Sequence, residues 1–193
     1  MSKLDAQVGV AVAVATPQDI LHFWFEEATP EQHFGKADAF DATIRDRFAT
    51  THRAAAAGEL AKWRATADGR LAEIILLDQF SRNLHRDDAR AFACDGMALV
   101  LAQEAIGAGA DRDMPAIRRA FLYMPFMHSE SRAIHVEAER LFRQPGLENN
   151  YAFELKHKAI IDRFGRYPHR NAVLGRLPTD EEAAFLQQPD SSF

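Results

Sequence analysis

The stretch Leu71 to Asn83, LAEIILLDQFSRN, constrains the fold more than any other part of the chain, because Ile74, Ile75, Leu76 and Leu77 form an unbroken apolar row. A helix carrying such a row is apolar around more of its circumference than a surface helix, so the sequence predicts a central helix covered by others. The covering helices are read from capping chemistry and apolar spacing. Thr16 before Pro17 suits an N-cap and first helical position for a helix through Leu21, Phe23, Trp24 and Phe25. Phe40, Ile44 and Phe48 recur every four residues in a second helix that Gly58 should end; Leu60 with Trp63 suggests a short turn, and Asp68-Gly69 reads as punctuation. Phe92, Gly96, Leu99 and Val100 mark a long helix from about Asp88 to Ile106, closed by Gly107 and Gly109. A shorter helix around Ile117 to Leu122 should halt before Pro125, since proline disfavours the α conformation in the residue ahead of it. Ser129 is the expected cap of the next helix, with Ile134, Ala138, Leu141 and Phe142 as its stripe and Pro145-Gly146 as its stop. Another runs from about Asn149 to Phe164 and ends at Gly165. Thr179 with Glu182 forms a capping box for the last. The reading is all-α: an irregular stack of about nine antiparallel helices with no convincing strand.

No composition shift divides residues 16–193, which read as a single helical domain, whereas residues 1–15 read as a loose N-terminal tail. The apolar run Val8 to Ala15 is far shorter than the ~20 residues of a membrane span and lacks a clearly positive leader. A mass of 21.7 kDa allows roughly 70% of the unfolded surface to be buried, so neither a metal nor a disulfide is needed for stability. The single cysteine, Cys94, excludes an intramolecular disulfide and fits the cytoplasm. It reads as a buried small hydrophobe in its helix. With 23 Lys and Arg against 28 Asp and Glu, the net charge is −5, which argues against nucleic acid and anionic membranes as partners. No GxSxG elbow, Walker A loop, GxGxxG or HExxH occurs, and no cofactor is expected.

Three segments carry more ionisable residues than their apolar setting explains. In the first, Asp78 shares the inward face of Leu71, Ile74 and Ile75, and Arg82 lies one turn further on the same face. A buried carboxylate must be paired, so Asp78–Arg82 reads as a structural ion pair, or as an arginine held by Asp78 while its other edge meets a ligand. The second, Tyr123-Met124-Pro125-Phe126-Met127-His128-Ser129-Glu130, reads as a non-helical joint in which His128 and Glu130 suit acid/base work. Helix capping accounts for Ser129 and Glu130 and leaves His128 unexplained. The third, residues 156–170, holds five Lys or Arg against one Asp. His157 falls on the apolar face of its helix, and Arg163, Arg166, His169, Arg170 and Asn171 follow. Dipole effects of ~0.3–1 kcal/mol each do not account for such a cluster, whereas a bidentate site for a carboxylate or phosphate does. Asp78, His128, Glu130, His157 and His169 would be the donors of a metal site, but no two of these histidines have i, i+4 spacing and no metal is expected. His135, with Arg132, Glu139 and Arg143, reads as solvated on a polar helix face. Arg166, Tyr167 and Arg170 would stack on RNA bases, against which the acidic chain argues.

The strings FWF at Phe23 to Phe25, LLDQFSRN at Leu76 to Asn83, YMPFMHSE at Tyr123 to Glu130, RFGRYPHRN at Arg163 to Asn171 and LGR at Leu174 to Arg176 resemble a bacterial family of uncharacterised proteins, the domain-of-unknown-function 924 family. The resemblance extends over about residues 17–187. It implies an all-α fold related to the tetratricopeptide-like superhelix, although no repeat of ~34 residues is visible in the chain itself. It implies no activity.

Three functional expectations follow. The leading one is a pocket for a small anion, lined by Asp78, Arg82, Tyr123, Arg163, Arg166, His169, Arg170 and Asn171. There His128, Glu130 or His157 would move protons in hydrolysis or transfer, and whether chemistry follows binding is left open. The alternative is a protein- or peptide-interaction module, which requires an exposed apolar groove with aromatic anchors away from the polar cluster. The third is a buried polar network that only joins helices.

Overall fold

In the computed structural model, which describes residues 13–189 and residue 191, nine helices enclose the core, with no strand among the described residues. They are α1 (Pro17–His22, prolonged by the π turn Phe23–Glu27), α2 (Pro30–Phe34), α3 (Asp38–Ala56) and α4 (Ala67–Ile75, prolonged by the π turn Leu76–Phe80 and by Ser81–Leu84). There follow α5 (Asp95–Gly107), α6 (Ala116–Met127), α7 (Arg132–Phe142), α8 (Glu148–Phe164) and α9 (Asp180–Phe185). Single 3₁₀ turns occupy Ala61–Ala65, Ala89–Phe92 and Pro168–Arg170. The expected tail falls outside the described residues up to residue 12. Among the described residues no helix is long and apolar enough to cross a membrane.

Helix α4 is the centre that its apolar row requires. Ile74 to Leu77 are fully buried, and the helix packs against α1, α3, α5 and α6. Trp24 and Phe121 lie against it, edge to face at 5.5 Å between centroids, and its own Phe80 meets the Trp24 ring at 5.5 Å. Consecutive helices α5 to α8 pack pairwise, as short connections between amphipathic helices dictate. Thr16 and Thr179 each close a capping box, with Asp19 and Glu182 as the returning side chains.

Four local expectations are corrected. Helix α6 does not stop before Pro125 but runs through it to Met127, so YMPFM is helical. Pro125 cannot donate to the Phe121 carbonyl, at a cost of ~3 kcal/mol. Residues 120–127 are all buried, and burying Met124, Phe126 and Met127 at ~1.5–3 kcal/mol each outweighs that loss. Helix α5 opens at Asp95 rather than near Asp88, because a 3₁₀ turn intervenes and leaves Cys94 half-buried just ahead of the helix. Ser129 is not the cap of α7: Ser131 precedes its first residue, and the Ser129 hydroxyl accepts from the Ser131 N–H at 3.2 Å. Gly69 is not punctuation but the third residue of α4, where a Cβ would lie 1.9 Å from the Trp63 carbonyl oxygen. Gly69→Ala is therefore expected to destabilise the fold by about 2–3 kcal/mol despite the better helix propensity of alanine. Urea unfolding checks this, and unchanged or increased stability would show that the Ala61–Ala65 turn yields freely.

Candidate functional site

The π turn of α4 sets Asp78 in the interior, fully buried, while α6 ends so that His128 caps it. The two meet: His128 Nδ1 lies 2.7 Å from Asp78 Oδ1. Gln79 donates to the other carboxylate oxygen. Arg82 Nη1 donates to the Asp78 carbonyl at 2.6 Å and contacts Oδ1 at 3.3 Å, so the expected i, i+4 pair is present. Burial by itself would raise the Asp78 carboxyl. The charges of His128 and Arg82, with the hydrogen bonds of His128 and Gln79, outweigh it and hold the group well below the usual carboxylate range. Burial pulls the His128 ring below its ordinary value, against the opposing attraction of Asp78. An ionised Asp78 accepts from Nδ1–H, so the hydrogen-bond network assigns the neutral ring its lone pair at Nε2. The His128 side chain is 16% exposed and that of Arg82 is 22% exposed, so this couple reaches the surface.

The arginines expected to clamp a ligand each meet a carboxylate of the chain. Arg82 binds Asp95 in a two-pronged pair at 2.9 and 3.0 Å, and Arg170 Nη1 reaches the same Asp95 at 3.3 Å. Arg163 pairs with Glu181 at 2.7 Å, and Arg166 grips Glu182 with two hydrogen bonds of 2.5 and 2.7 Å, so both anchor α9 rather than joining Asp78. Asn171 also serves that anchor, donating to Glu182 at 3.3 Å and accepting from Arg176 at 2.9 Å. Tyr123 is engaged elsewhere, its hydroxyl donating to Asp111 at 2.7 Å. Glu130 uses both oxygens on Arg176, at 2.6 and 2.9 Å, and accepts from the Tyr167 N–H at 2.7 Å. Burial would raise its carboxyl, but those partners hold it below its ordinary value and ionised.

Residues 156–170 do contribute to the Asp78 cluster, through the 3₁₀ turn Pro168–Arg170. The Arg170 guanidinium lies 4.5 Å from the ring centres of both Phe92 and Tyr167, and its side chain is 7% exposed. Its Nε, and His169 Nδ1 beside it, are buried without a hydrogen-bond partner among the described residues. Burial and the Arg170 charge push His169 down to about 4. His157 is buried on the apolar face, as its spacing predicts; its Nδ1 donates to the Phe153 carbonyl at 2.8 Å, and burial pushes it down to about 3. Tyr167 is the hub of this part: its hydroxyl donates to the Met127 carbonyl at 2.5 Å, and its ring faces His157 at 5.7 Å and His169 at 5.5 Å.

His135 corrects the expectation of a solvated group. It is fully buried, with Nδ1 2.7 Å from Glu154 and Nε2 2.8 Å from the Ser129 carbonyl. Its helix turns that position inward against α8, where Glu154 had given no signal of its own. Asp95 was missed as well, since its partners lie 13 and 75 residues away and nothing local marks it. Among the described residues no group of three or more His, Cys, Asp and Glu is placed to hold a metal ion. An apolar hollow with aromatic walls lies away from this cluster, at the opposite end of α6.

The family model described as bacterial protein of unknown function (DUF924) matches residues 20–190. The solved structure of a protein of unknown function, ATU0120 from Agrobacterium tumefaciens, superposes with a TM-score of 0.85 at 40% sequence identity, covering 89% of this chain and 96% of that one. No curated protein matches the chain.

Proposed function

The chain belongs to the bacterial family of unknown function DUF924, and from the geometry of its polar cluster we propose that Arg82, His169 and Arg170 bind a small carboxylate or phosphate while His128, oriented by Asp78, moves a proton in its reaction. Asp78 fixes the His128 ring and its tautomer, which leaves Nε2 to take a proton from an attacking water or hydroxyl in a hydrolysis or transfer reaction. The reading is carried by two buried nitrogens in one turn that have no partner among the described residues, the Arg170 Nε donor and His169 Nδ1, which donates in its Nδ1–H tautomer. An unsatisfied buried donor costs ~1–3 kcal/mol, and an anion oxygen that accepts from both recovers it. Asp95 already pairs with both Arg82 and Arg170, so the ligand competes with this carboxylate, and affinity in the millimolar range is expected rather than nanomolar.

Thermal unfolding with inorganic phosphate and with malonate tests the reading. One of them at about ten times its Kd is expected to raise the Tm by about 3 °C, and Arg170→Gln to abolish the rise. His128→Gln is expected to leave that rise in place while lowering turnover of a hydrolysable anionic substrate by about 10²-fold or more. If neither anion shifts the Tm, and the backbone signals of residues 168–170 do not move on titration, the cluster is a structural network.

A further inference from the structure

The opposite end of α6 carries a second feature, independent of the polar cluster. A hollow of about 470 Å³ opens between the π turn after α1, helix α2 and the start of α6. Phe25, Phe34, Pro30 and Ile117 wall it, and Phe34 (70% exposed) and Ile117 (57% exposed) present large apolar surface there. The volume lies within the ~300–1,000 Å³ of small-molecule sites. Two side chains decide which small molecule. Arg118 lies in the wall with its guanidinium 5.3 Å from the Phe25 ring centre, and among the described residues only its Nη1 is engaged, by Asp68 at 3.1 Å. Asp68 is half exposed, so this pair is a weak competitor, and the Nε and Nη2 edge of Arg118 presents a fork matched to a carboxylate. His33 adds no charge: burial pulls it below its ordinary value, and its Nε2 donates to the Trp24 carbonyl at 2.7 Å. The beginning of α6, which has no side-chain cap, adds partial positive charge on the same side.

We propose that this hollow binds a small monocarboxylate with an aromatic or branched apolar body, the carboxylate on the free edge of Arg118 and the body against Phe25, Phe34 and Ile117. A second carboxylate on the ligand is disfavoured, because Glu26 lines the hollow and Asp68 stands beside Arg118.

The full chain, labelled for amide NMR, is titrated with 4-phenylbutyrate, 4-phenylbutan-1-ol and phenylsuccinate. The expected result is saturable shifts at Phe34, Ile117 and Arg118, with 4-phenylbutyrate binding about tenfold more tightly than the alcohol, the size of one charge-assisted contact. Phenylsuccinate is expected to bind more weakly than the monocarboxylate. Arg118→Gln should bring 4-phenylbutyrate to the alcohol's affinity without changing the alcohol's, and Arg118→Lys should keep part of the preference. Equal affinities for acid and alcohol in the native chain, no shifts with either, or a preference that survives Arg118→Gln would each overturn the proposal. Signals at His128, His169 and Arg170 stay in place if the hollow is a separate site, so failure here and failure of the polar-cluster reading are distinguishable.

Discussion

Asp78→Ala is expected to lower the unfolding free energy by about 3–5 kcal/mol, the usual cost of removing one partner from a buried ion pair. The carboxylate is fully buried and is the common acceptor of His128, Gln79 and Arg82, so its loss leaves three polar groups short of a partner. Arg82 keeps Asp95, which limits the damage to the lower part of that range. Asp78→Asn preserves the volume and an acceptor for His128 but not the charge, and about half the loss is expected. Urea unfolding of both variants measures this. The nitrogen shifts of His128 add a readout that packing does not move, since without an ionised partner the ring is expected to populate both tautomers. A loss under 1 kcal/mol for Asp78→Ala would mean that the cluster is not organised around this residue.

Lowering the pH from 7 to 5 is expected to cost about 4 kcal/mol from two histidines alone. His52 is pushed down to about 4 by burial and the charges of His85 and Arg53, and His157 to about 3, chiefly by burial. Both are depressed from an unfolded value near 6.5, so they stabilise the fold fully above that value and lose the contribution as pH falls toward the folded values. At pH 5 the unfolded ring is almost fully protonated and the folded ring almost fully neutral, which amounts to about 2 kcal/mol each. Glu154 works the other way, because burial raises its carboxyl and protonation relieves it. For a domain whose whole stability is ~5–15 kcal/mol, the net effect is a large fraction of the total. Urea titrations at pH 7, 6 and 5 should show it, and His52→Gln should remove about half of the slope. A flat profile would mean that these rings reach water in the native protein.

The polar cluster shows where local pattern stops being informative. Asp78 and Arg82 were legible because their spacing puts them on one face of a helix whose other positions are apolar, and His157 because it falls on an apolar stripe. Arg163 and Arg166 belong to the same basic segment as Arg170, yet the left-handed turn at Gly165 and the 3₁₀ turn at Pro168–Arg170 carry them to α9 and Arg170 to Asp95. A charge count along the chain treats these arginines alike, whereas their carboxylate partners are selected by packing. Pro125 fails as a stop signal for a related reason, since a local penalty of ~3 kcal/mol is overridden by the burial of the residues that follow it.

The sequence by itself determined the all-α class, the central position of α4, the capping boxes at Thr16 and Thr179, and the inward pair of Asp78 and Arg82. All of these depend on residues within a few turns of one another, where 3.6-residue periodicity and capping hydrogen bonds operate. Only the tertiary structure decided that Asp95 is shared by Arg82 and Arg170, that Glu130 holds Arg176, that His135 is buried on Glu154, and that Arg118 lines an apolar hollow. Those partners come together because burying α4 on all sides fixes where the ends of the other helices fall, and charged groups brought there must pair with whatever opposite charge the packing delivers.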